Sequence, residues 1–487
     1  MVFSTRRPLS HCLVAGSLAL LGLTPMVVQA QAYMPAAEAP AATSAATAAD
    51  SAASAPLPTV DAAKPRVASL QALLGIPPVL ALSGNGPPLS LGDALQLAWQ
   101  NSPDVAAARF RSQSFDYTRK AARGALLPRL ETRFSVGRGH FVTPDSQVNL
   151  GRGDHSAVLS QALVDEAARS EWTRQDLLAA SAEVQEAGVE SQTLLDTGSA
   201  WFAVLQQRVG VELGQDYEKA LNELLRYIGD RVAAGGASPA ERERITARVA
   251  NVRSGLADSR AALSAALRNF QRLSSVAPFG LSLDAPLDLY LPANAEAAMT
   301  EADAGNADIL SSRLEQQAAE FERRGNRAAF LPRLALELTH SQTRNSSGME
   351  SNQRDSKAML VVTLPLANGG ADYARMRAAE ARRNELEARG EGTRRRVVQD
   401  LETSYANLAA ATERFASVRD ELEANRKVVD AFRTQLSGGN RQLLDVLDAY
   451  QRLHQSRLDI VQVVVSAAQN EWRIAHLTGA LRQVVAR

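Results

Sequence analysis

The sequence predicts an α+β membrane protein built from an internal tandem duplication. Residues 104–130 recur without a gap as residues 308–334. Each copy then passes into a stretch in which apolar and polar residues alternate. A helical pattern of roughly sixty residues follows each of these stretches, and each pattern stops at a pair of glycines. The repeat predicts two similar structural units, and a fold assigned without it would be wrong.

Composition limits the classes of protein that the chain can belong to. It has 487 residues, of which 45% are hydrophobic and only 5% are aromatic, so a core is available and long helices are favoured. The formal net charge is zero, which gives no basic surface for a nucleic acid at the level of totals. We therefore expect no nucleic-acid partner.

The first residues have the features of an export signal. Residues 1–30 contain Arg6 and Arg7 at the start, an apolar run over 13–23, and small residues before the predicted cleavage site. The alternative is a membrane anchor, but the apolar run is shorter than the ~20 residues that a spanning helix needs. The only cysteine, Cys12, lies inside this segment, and we expect no lipid to be attached to it.

The segment that follows the signal is rich in Ala and Pro. Residues 31–88 are predicted to be largely disordered, because they carry too few large apolar side chains to offset the entropy of ordering. Several apolar residues near the end of this segment are able to dock on the folded body, at a place that the sequence does not reveal. The body itself divides into a first repeat, residues 89–290, and a second repeat, residues 291–487, with Ser90 as the predicted N-cap of the first helix.

Both repeats contain two predicted strands with one apolar side. The alternation is carried by Leu130, Thr132, Phe134 and Val136 in the first repeat, and by Leu334, Leu336 and Leu338 in the second. Polar loops are predicted over 137–154 and 345–355. A small soluble sheet with one buried face is one interpretation. The other is a membrane barrel: four strands cannot close by themselves, whereas two hairpins from each of three chains give a twelve-stranded closed barrel.

The helices are predicted to pair lengthwise. They are expected over 167–234, 239–274 and 371–436, with a last helix ending near residue 481. A seam with steps of three and four supports this packing, formed by Phe415, Val418, Leu422, Asn425, Val429, Phe432 and Leu436. At 1.5 Å per residue the longer helices reach about 100 Å, so they must pack along helices of similar length. An ordinary coiled-coil oligomer is the alternative, but it does not account for the strand hairpins.

Two glycine pairs mark the predicted tips of these helical hairpins. Gly235 and Gly236 separate the helices of the first repeat, and Gly438 and Gly439 separate those of the second. The second tip is followed by the sequence NRQLLDVLDAY. Its two aspartates are three residues apart and therefore share one helix face.

The stretch after the second tip resembles the TolC-like outer-membrane factors. Their G-x-R-x-L-L-D-x-L-D pattern is matched by Gly439, Arg441, Leu443, Leu444, Asp445, Leu447 and Asp448. The resemblance extends over residues 89–481. It implies a trimeric twelve-stranded β-barrel, with four strands per chain, in the outer membrane, continued by a long periplasmic α-helical barrel. The two polar loops would then be extracellular.

The resemblance also implies a gate at the periplasmic hairpin tips. Asp445 and Asp448 match two aspartates that ring the opening in that family, and Arg441 matches an arginine that holds neighbouring hairpins closed. Glu241, after the first tip, stands where the family has an aspartate. The longer side chain and the adjacent Pro239 depart from the family pattern.

The same resemblance implies the partners and the type of transport. It implies a homotrimer in contact with outer-membrane lipid, a periplasmic adaptor (membrane fusion protein), and an inner-membrane ABC or proton-driven transporter. The expected function is a passive export duct of such a tripartite system, either for type I protein secretion or for small-molecule efflux. The alternative is a non-channel periplasmic coiled-coil scaffold or adaptor.

No residue pattern in the chain predicts an enzyme. No nucleophile–base pair or carboxylate constellation is recognisable, so we expect no catalytic residues and no cofactor. The six histidines do not have the spacing of metal ligands, and we expect no metal site.

Overall fold

The computed structural model describes residues 65–82, 88–143, 146–283, 289–345, 350–437 and 442–485. The predicted signal peptide and, at the second tip, Gly438, Gly439 and Arg441 lie outside the described residues. Long helices and two antiparallel sheets make up the described part, which is the predicted α+β class. None of the helices in the described part is both long enough and apolar enough to cross a membrane.

The first half runs from short helices through a strand hairpin into a long helical pair. Its elements are α1 Val67–Leu74, β1 Val79–Ala81, α2 Leu91–Asn101, α3 Pro103–Gly124, β2 Arg129–Thr143, β3 Ser146–Val164, α4 Glu166–Ala233 and α5 Pro239–Ser274. Side-chain caps fix where the helices begin. The Ser90 hydroxyl accepts the N–H of Asp93 at 3.1 Å, which confirms the predicted N-cap of α2, and Asp165 caps α4 through the N–H of Ala168 at 2.9 Å.

The second half follows the same order of elements. They are β4 Gly280–Ser282, α6 Ala295–Gly305, α7 Ala307–Arg327, β5 Arg333–Arg344, β6 Asn352–Thr363, α8 Ala371–Ser437, α9 Leu443–Leu477 and α10 Leu481–Val485. The predicted positions of the long helices are confirmed, because α4, α5 and α8 begin and end within a residue or so of the expected bounds. Only the last helix, α9, is shorter than expected.

The four long strands form one antiparallel sheet in the order β2-β3-β5-β6. The two hairpins β2–β3 and β5–β6 are joined by pairing of β3 with β5, for example Leu159 opposite Leu338. This pairing shifts by one residue between Ala162 and Val164, where a bulge lies next to the start of α4. The strands β2 and β6 are the two edges of the sheet in the described part of the chain.

The predicted polar loops are shorter than the sequence indicated. Gly137 and Gly139 belong to β2 and pair with Arg152 and Leu150 of β3, so most of 137–154 is a paired strand. Likewise β6 begins at Asn352, inside the predicted loop 345–355. The reason is that the partner strand supplies hydrogen bonds to a glycine-rich backbone, and local sequence does not reveal a partner.

The helices pack side by side around one elongated core. The helices α4 and α8 have 68 and 67 residues, which corresponds to about 100 Å each. At the centre, Trp201 and Phe202 of α4 contact each other edge to face at 5.4 Å, and Phe202 lies 6.0 Å from Trp472 of α9. A Cβ at Gly198 would be 2.7 Å from the Trp472 ring, so glycine is needed for this close approach.

Part of the segment predicted to be largely disordered is folded. We call residues 65–82 the strap: it contains α1, which packs against α9, and β1, which pairs with β4. Leu70 and Leu80 of the strap are fully buried. Its carbonyls also accept hydrogen bonds from the helices: that of Ala81 from Arg208 Nε at 2.8 Å, and that of Leu73 from Arg426. The burial of Leu70 and Leu80 stabilises the strap on the helices, which the composition of the segment alone did not indicate.

Candidate functional site

The first hairpin tip is a tight turn that ends α4 and begins α5. Gly235 has φ +76°, a left-handed conformation that glycine adopts without strain. The N–H of Gly236 donates to the carbonyl of Arg231 at 2.7 Å, and the guanidinium of Arg231 donates to the carbonyl of Gly236 at 2.9 Å. Both glycines therefore occupy the turn for which the sequence predicted them.

Glu241 has a local role at this tip. Its carboxylate accepts the backbone N–H of Ser238 at 3.1 Å, while the Ser238 hydroxyl accepts the N–H of Ala240 at 3.2 Å. This is a capping box, and Pro239 occupies the first turn of α5, where a missing N–H costs nothing. The structure thus explains why glutamate and proline occur together here, and a gate role for Glu241 stays a prediction.

The two aspartates of the second tip lie at the start of α9. Asp445 is in the first turn and half-buried, and Asp448 is exposed, one turn further along the same face. Carboxylates at this position are favoured by the unpaired N–H groups and the positive end of the helix dipole. The structure therefore brings Asp445 and Asp448 together within one chain.

The two hairpins meet near their tips in a second apolar cluster. We call it the tip cluster; its buried members are Tyr217, Leu221, Leu224, Ile228, Ile245, Val249, Leu436, Leu443, Val446 and Leu447. The members come from α4, α5, α8 and α9, so both hairpins contribute. The start of α9, which carries the two aspartates, is thus packed into the tip cluster through Leu443, Val446 and Leu447.

Polar contacts that the sequence did not predict also join the hairpins at this level. The Tyr227 hydroxyl donates to the carbonyl of Leu436 at 3.4 Å, and Arg433 lies 3.9 Å from Glu223 across the surface. The exposed ion pair contributes little by itself. The three-and-four spacing of Leu221, Leu224 and Ile228 in α4 continues the apolar seam into the tip, but it does not specify these polar partners.

A polar groove lies between the hairpins above the tip cluster. Tyr217 of α4 and His454 of α9 stack in its wall with ring centroids 4.8 Å apart. Burial raises the pKa of the Tyr217 phenol, the charge of Asp448 raises it further, and Arg248 opposes both. Burial lowers the pKa of the His454 imidazole, and the positive charge of Arg457 lowers it further. Both effects favour the neutral form of His454 over the protonated form.

At the other end of the molecule, the sheet has two chemically different faces. On the apolar face, Leu130, Phe134 and Leu360 are about two-thirds exposed, and the register places Leu336 and Leu338 beside them. The polar face carries every acidic residue of these four strands, namely Glu131, Asp154, Glu337 and Asp355. A sheet with this exposed apolar face is unsuited to water on both sides.

No group of three or more His, Cys, Asp or Glu side chains within the described ranges is arranged to hold a metal ion. The described residues instead form a sheet with one apolar face at one end, hairpin tips with Asp445 and Asp448 at the other, and helices of about 100 Å between them.

The chain is similar in sequence to several proteins over most of its length. Residues 298–480 match the family model "Outer membrane efflux protein". The chain is 23% identical to outer membrane efflux protein BepC of Brucella suis over 398 residues, which are 80% of this chain and 86% of BepC. It is 25% identical to alkaline protease secretion protein AprF of Pseudomonas aeruginosa over 385 residues, which are 75% of this chain and 79% of AprF. It is 24% identical to outer membrane protein TolC of Escherichia coli over 438 residues, which are 85% of this chain and 87% of TolC.

Solved structures agree with the fold. The Campylobacter jejuni CmeC outer membrane channel superposes with a TM-score of 0.72 at 14% identity, over 80% of this chain and 85% of CmeC. At this identity the likeness establishes the fold alone. The family model and the relatives in sequence place the protein in the outer membrane, with a periplasmic extension. In sequence and in fold, the chain is similar to the TolC-like outer membrane efflux proteins.

Proposed function

We propose that three copies of this chain form a passive export duct through the outer membrane. The observation that carries this proposal is the four-stranded sheet with an exposed apolar face and two edges, β2 and β6. In lipid every backbone N–H and C=O needs a partner within the protein, so an open edge is not tolerated there. Pairing of β2 in one copy with β6 in the next closes a twelve-stranded barrel with its apolar face toward lipid.

The helices would continue this barrel as a periplasmic tunnel. Each chain contributes two similar halves, residues 89–290 and 291–487, which we interpret as products of a tandem duplication. Each half supplies one strand hairpin and one long helical hairpin. Two halves from each of three chains give six hairpins around one axis. The length of the helices, about 100 Å, suits a duct that reaches across much of the periplasm.

The duct would work in a tripartite system. No energy-converting motif is recognisable in the sequence, so the driving force is assigned to an inner-membrane ABC or proton-driven transporter, joined through a periplasmic adaptor. The name of AprF specifies secretion of a protease, and that of BepC specifies efflux. Type I secretion and small-molecule efflux are therefore both proposed as cargo classes. The similarity to these proteins does not favour a coiled-coil scaffold.

We also propose that the periplasmic tips gate the duct. Asp445 and Asp448 from three chains would form rings of carboxylates, which attract cations. Arg441 would hold neighbouring hairpins together, with Glu241 as its predicted partner. The support for this gate is the sequence pattern around Asp445 and the packed tip cluster beneath it.

Single-channel recording in planar bilayers tests the duct and the gate together. The purified protein is expected to give discrete current steps. Arg441→Ser is expected to raise the conductance several-fold, because an arginine contact that closes the tips is removed. Arg433→Ser is the matched control, since its exposed ion pair with Glu223 lies within one chain. An Arg441 variant with wild-type conductance would refute the latch, and a protein without any pore activity would refute the duct.

A further inference from the structure

The apolar face of the sheet is not uniform along the strands. Next to the helices it carries leucines, phenylalanine and valines, over a height of roughly 20 Å along β2. The band is shorter on β5 and β6, and farther from the helices along each of three strands the same face carries one arginine: Arg138 of β2, Arg344 of β5 and Arg354 of β6. We call them the arginine cluster.

The polar face of the sheet carries both acidic and basic residues, whereas the charged residues of the apolar face are all basic. The polar face mixes its four acids with Arg129, Arg133, Arg152, Arg333 and Lys357. Two of these cations are paired within the face, Arg152 with Asp154 at 2.9 Å and Lys357 with Asp355 at 3.9 Å. The apolar face carries no aspartate or glutamate at its described positions, and no ion pair to the arginine cluster is formed within the described residues.

The strand register fixes the spacing of the three arginines. Arg344 is opposite Asn352 and Arg354 is opposite Gln342, so these two arginines are diagonal neighbours on adjacent strands, roughly 7–8 Å apart. Arg138 lies two strands away from Arg344, on the other side of β3, where the facing residues are Gly151 and Gly153. The glycines leave the surface between Arg138 and Arg344 without side chains.

Neutral hydrogen-bonding groups surround the cluster. His140 contacts Asn149 at 2.7 Å, His340 contacts Ser356 at 2.8 Å, and Gln342 donates to Asn352 at 3.1 Å, all on the apolar face. Amide, imidazole and hydroxyl groups suit sugar hydroxyls, whereas guanidinium groups match phosphate oxygens in geometry and charge. One face thus combines an apolar band with phosphate-binding cations that are interspersed with sugar-binding groups.

We propose that the arginine cluster binds the phosphate groups of a phosphorylated glycolipid headgroup in the outer leaflet, with the acyl chains on the apolar band. This inference rests on the proposed function, in which the apolar face meets lipid and the end of the sheet farthest from the helices faces outward. Unpaired guanidinium groups with no acid on their face are complementary to a bisphosphorylated headgroup.

Native mass spectrometry of the purified protein in detergent tests this binding. The probes are bisphosphorylated lipid A, its monophosphorylated and dephosphorylated forms, and phosphatidylglycerol. Wild-type protein is expected to retain the bisphosphorylated form best. The triple variant Arg138→Gln, Arg344→Gln, Arg354→Gln is expected to bind it at least about tenfold more weakly, because three charge-assisted contacts are lost. Equal retention of phosphatidylglycerol by the wild type would overturn recognition of the headgroup.

Two controls make the result specific. Arg129→Gln, Arg133→Gln, Arg333→Gln removes the same charge from the polar face and is expected to leave lipid A binding unchanged. Competition by inorganic phosphate at millimolar concentration is expected to fail, because the acyl chains also contribute to binding; full competition would indicate a site for free phosphate and would overturn the proposal. Equal losses in both triple variants would overturn it as well.

Folding and pore formation are measured in parallel. If the triple glutamine variant does not fold, the triple lysine variant at the same positions replaces it, and a smaller but measurable loss of lipid A affinity is expected because lysine cannot contact phosphate in a bidentate manner. Wild-type channels with no preference for phosphorylated lipid would refute the lipid site alone. Failure of the wild-type protein to form channels would refute the proposed duct.

Discussion

Single residues set how closely the long helices approach one another. Gly198 of α4 lies against the Trp472 ring, where a methyl group would come within 2.7 Å of a ring carbon. At Gly229, near the end of the same helix, a methyl group would have no neighbouring atom within 4 Å. The same residue type therefore has opposite consequences at two positions of one helix.

We expect Gly198→Ala to destabilise the protein by about 1–3 kcal/mol, because a packed tryptophan has to move. Gly229→Ala is expected to stabilise it by about 0.4–1 kcal/mol, because alanine restricts the unfolded chain and suits a helix. The midpoint of urea unfolding, followed by circular dichroism in detergent, measures both changes. Shifts of the same sign would contradict this account of the packing.

Protonation of the His454 imidazole affects the stability of the folded chain. The pKa of His454 is lower in the folded chain than in an unfolded one, where it is about 6.5. Well above that pH the imidazole is neutral in both states and contributes nothing. As the pH falls below about 6.5 the unfolded chain binds the proton first, so the folded state loses stability.

Replacement of His454 by Phe is expected to make stability less sensitive to acid. Phenylalanine preserves the stacked contact with Tyr217 and has no proton to bind. Between about pH 7.5 and about pH 5.5 the unfolding midpoint of the variant should fall less than that of the wild type. His476, whose pKa burial also lowers, remains in both proteins and maintains part of the slope. Identical pH profiles would show that His454 does not contribute.

At the scale of elements, the strap connects distant parts of the chain. Its strand β1 pairs with β4 about two hundred residues later, and Arg208 of α4 and Arg426 of α8 donate to its carbonyls. It therefore contacts both long helical hairpins. Leu70, fully buried on α9, is the main apolar contact of α1.

Leu70→Ala is expected to release the strap locally, since deletion of a buried leucine side chain removes roughly 2–5 kcal/mol and α1 has only eight residues. Hydrogen exchange of residues 65–82 should then accelerate strongly, while the centre of α4 stays protected. Ala72→Ser, at an exposed position of the same helix, is the matched control. Unchanged protection in the Leu70 variant would show that other contacts hold the strap.

At the scale of the whole molecule, elements with a strong local period were predictable from the sequence. The helices α4, α5 and α8 and the turn at Gly235 follow from helical spacing and from glycine chemistry. Features that depend on distant partners were not predictable. The outer halves of β2 and β3 have a glycine-rich sequence and become strands only by pairing, and the strap folds only because α9 and β4 cover it.

The site followed the same division. The positions of Asp445 and Asp448 on one face follow from their spacing, and the capping role of Glu241 follows from the local S-x-x-E pattern that begins at Ser238. The contact from Tyr227 to Leu436 spans 209 residues of sequence, and no local pattern specifies it. Closure of the sheet requires pairing between chains at the edges β2 and β6, and no local pattern in one chain specifies that pairing.

Cross-linking of those two edges is the most direct test of the barrel. The variant combines Ser135→Cys on β2 with Gln353→Cys on β6, and the only native cysteine, Cys12, lies in the predicted signal. The bis-maleimide cross-linker is chosen too short to join the two cysteines of one chain, which the register places three strand spacings, about 14 Å, apart. Covalently linked dimers and trimers are then expected from the double variant, and no covalent trimers from either single variant. A double variant that is folded and fully labelled but remains monomeric would contradict closure of the sheet between neighbouring chains.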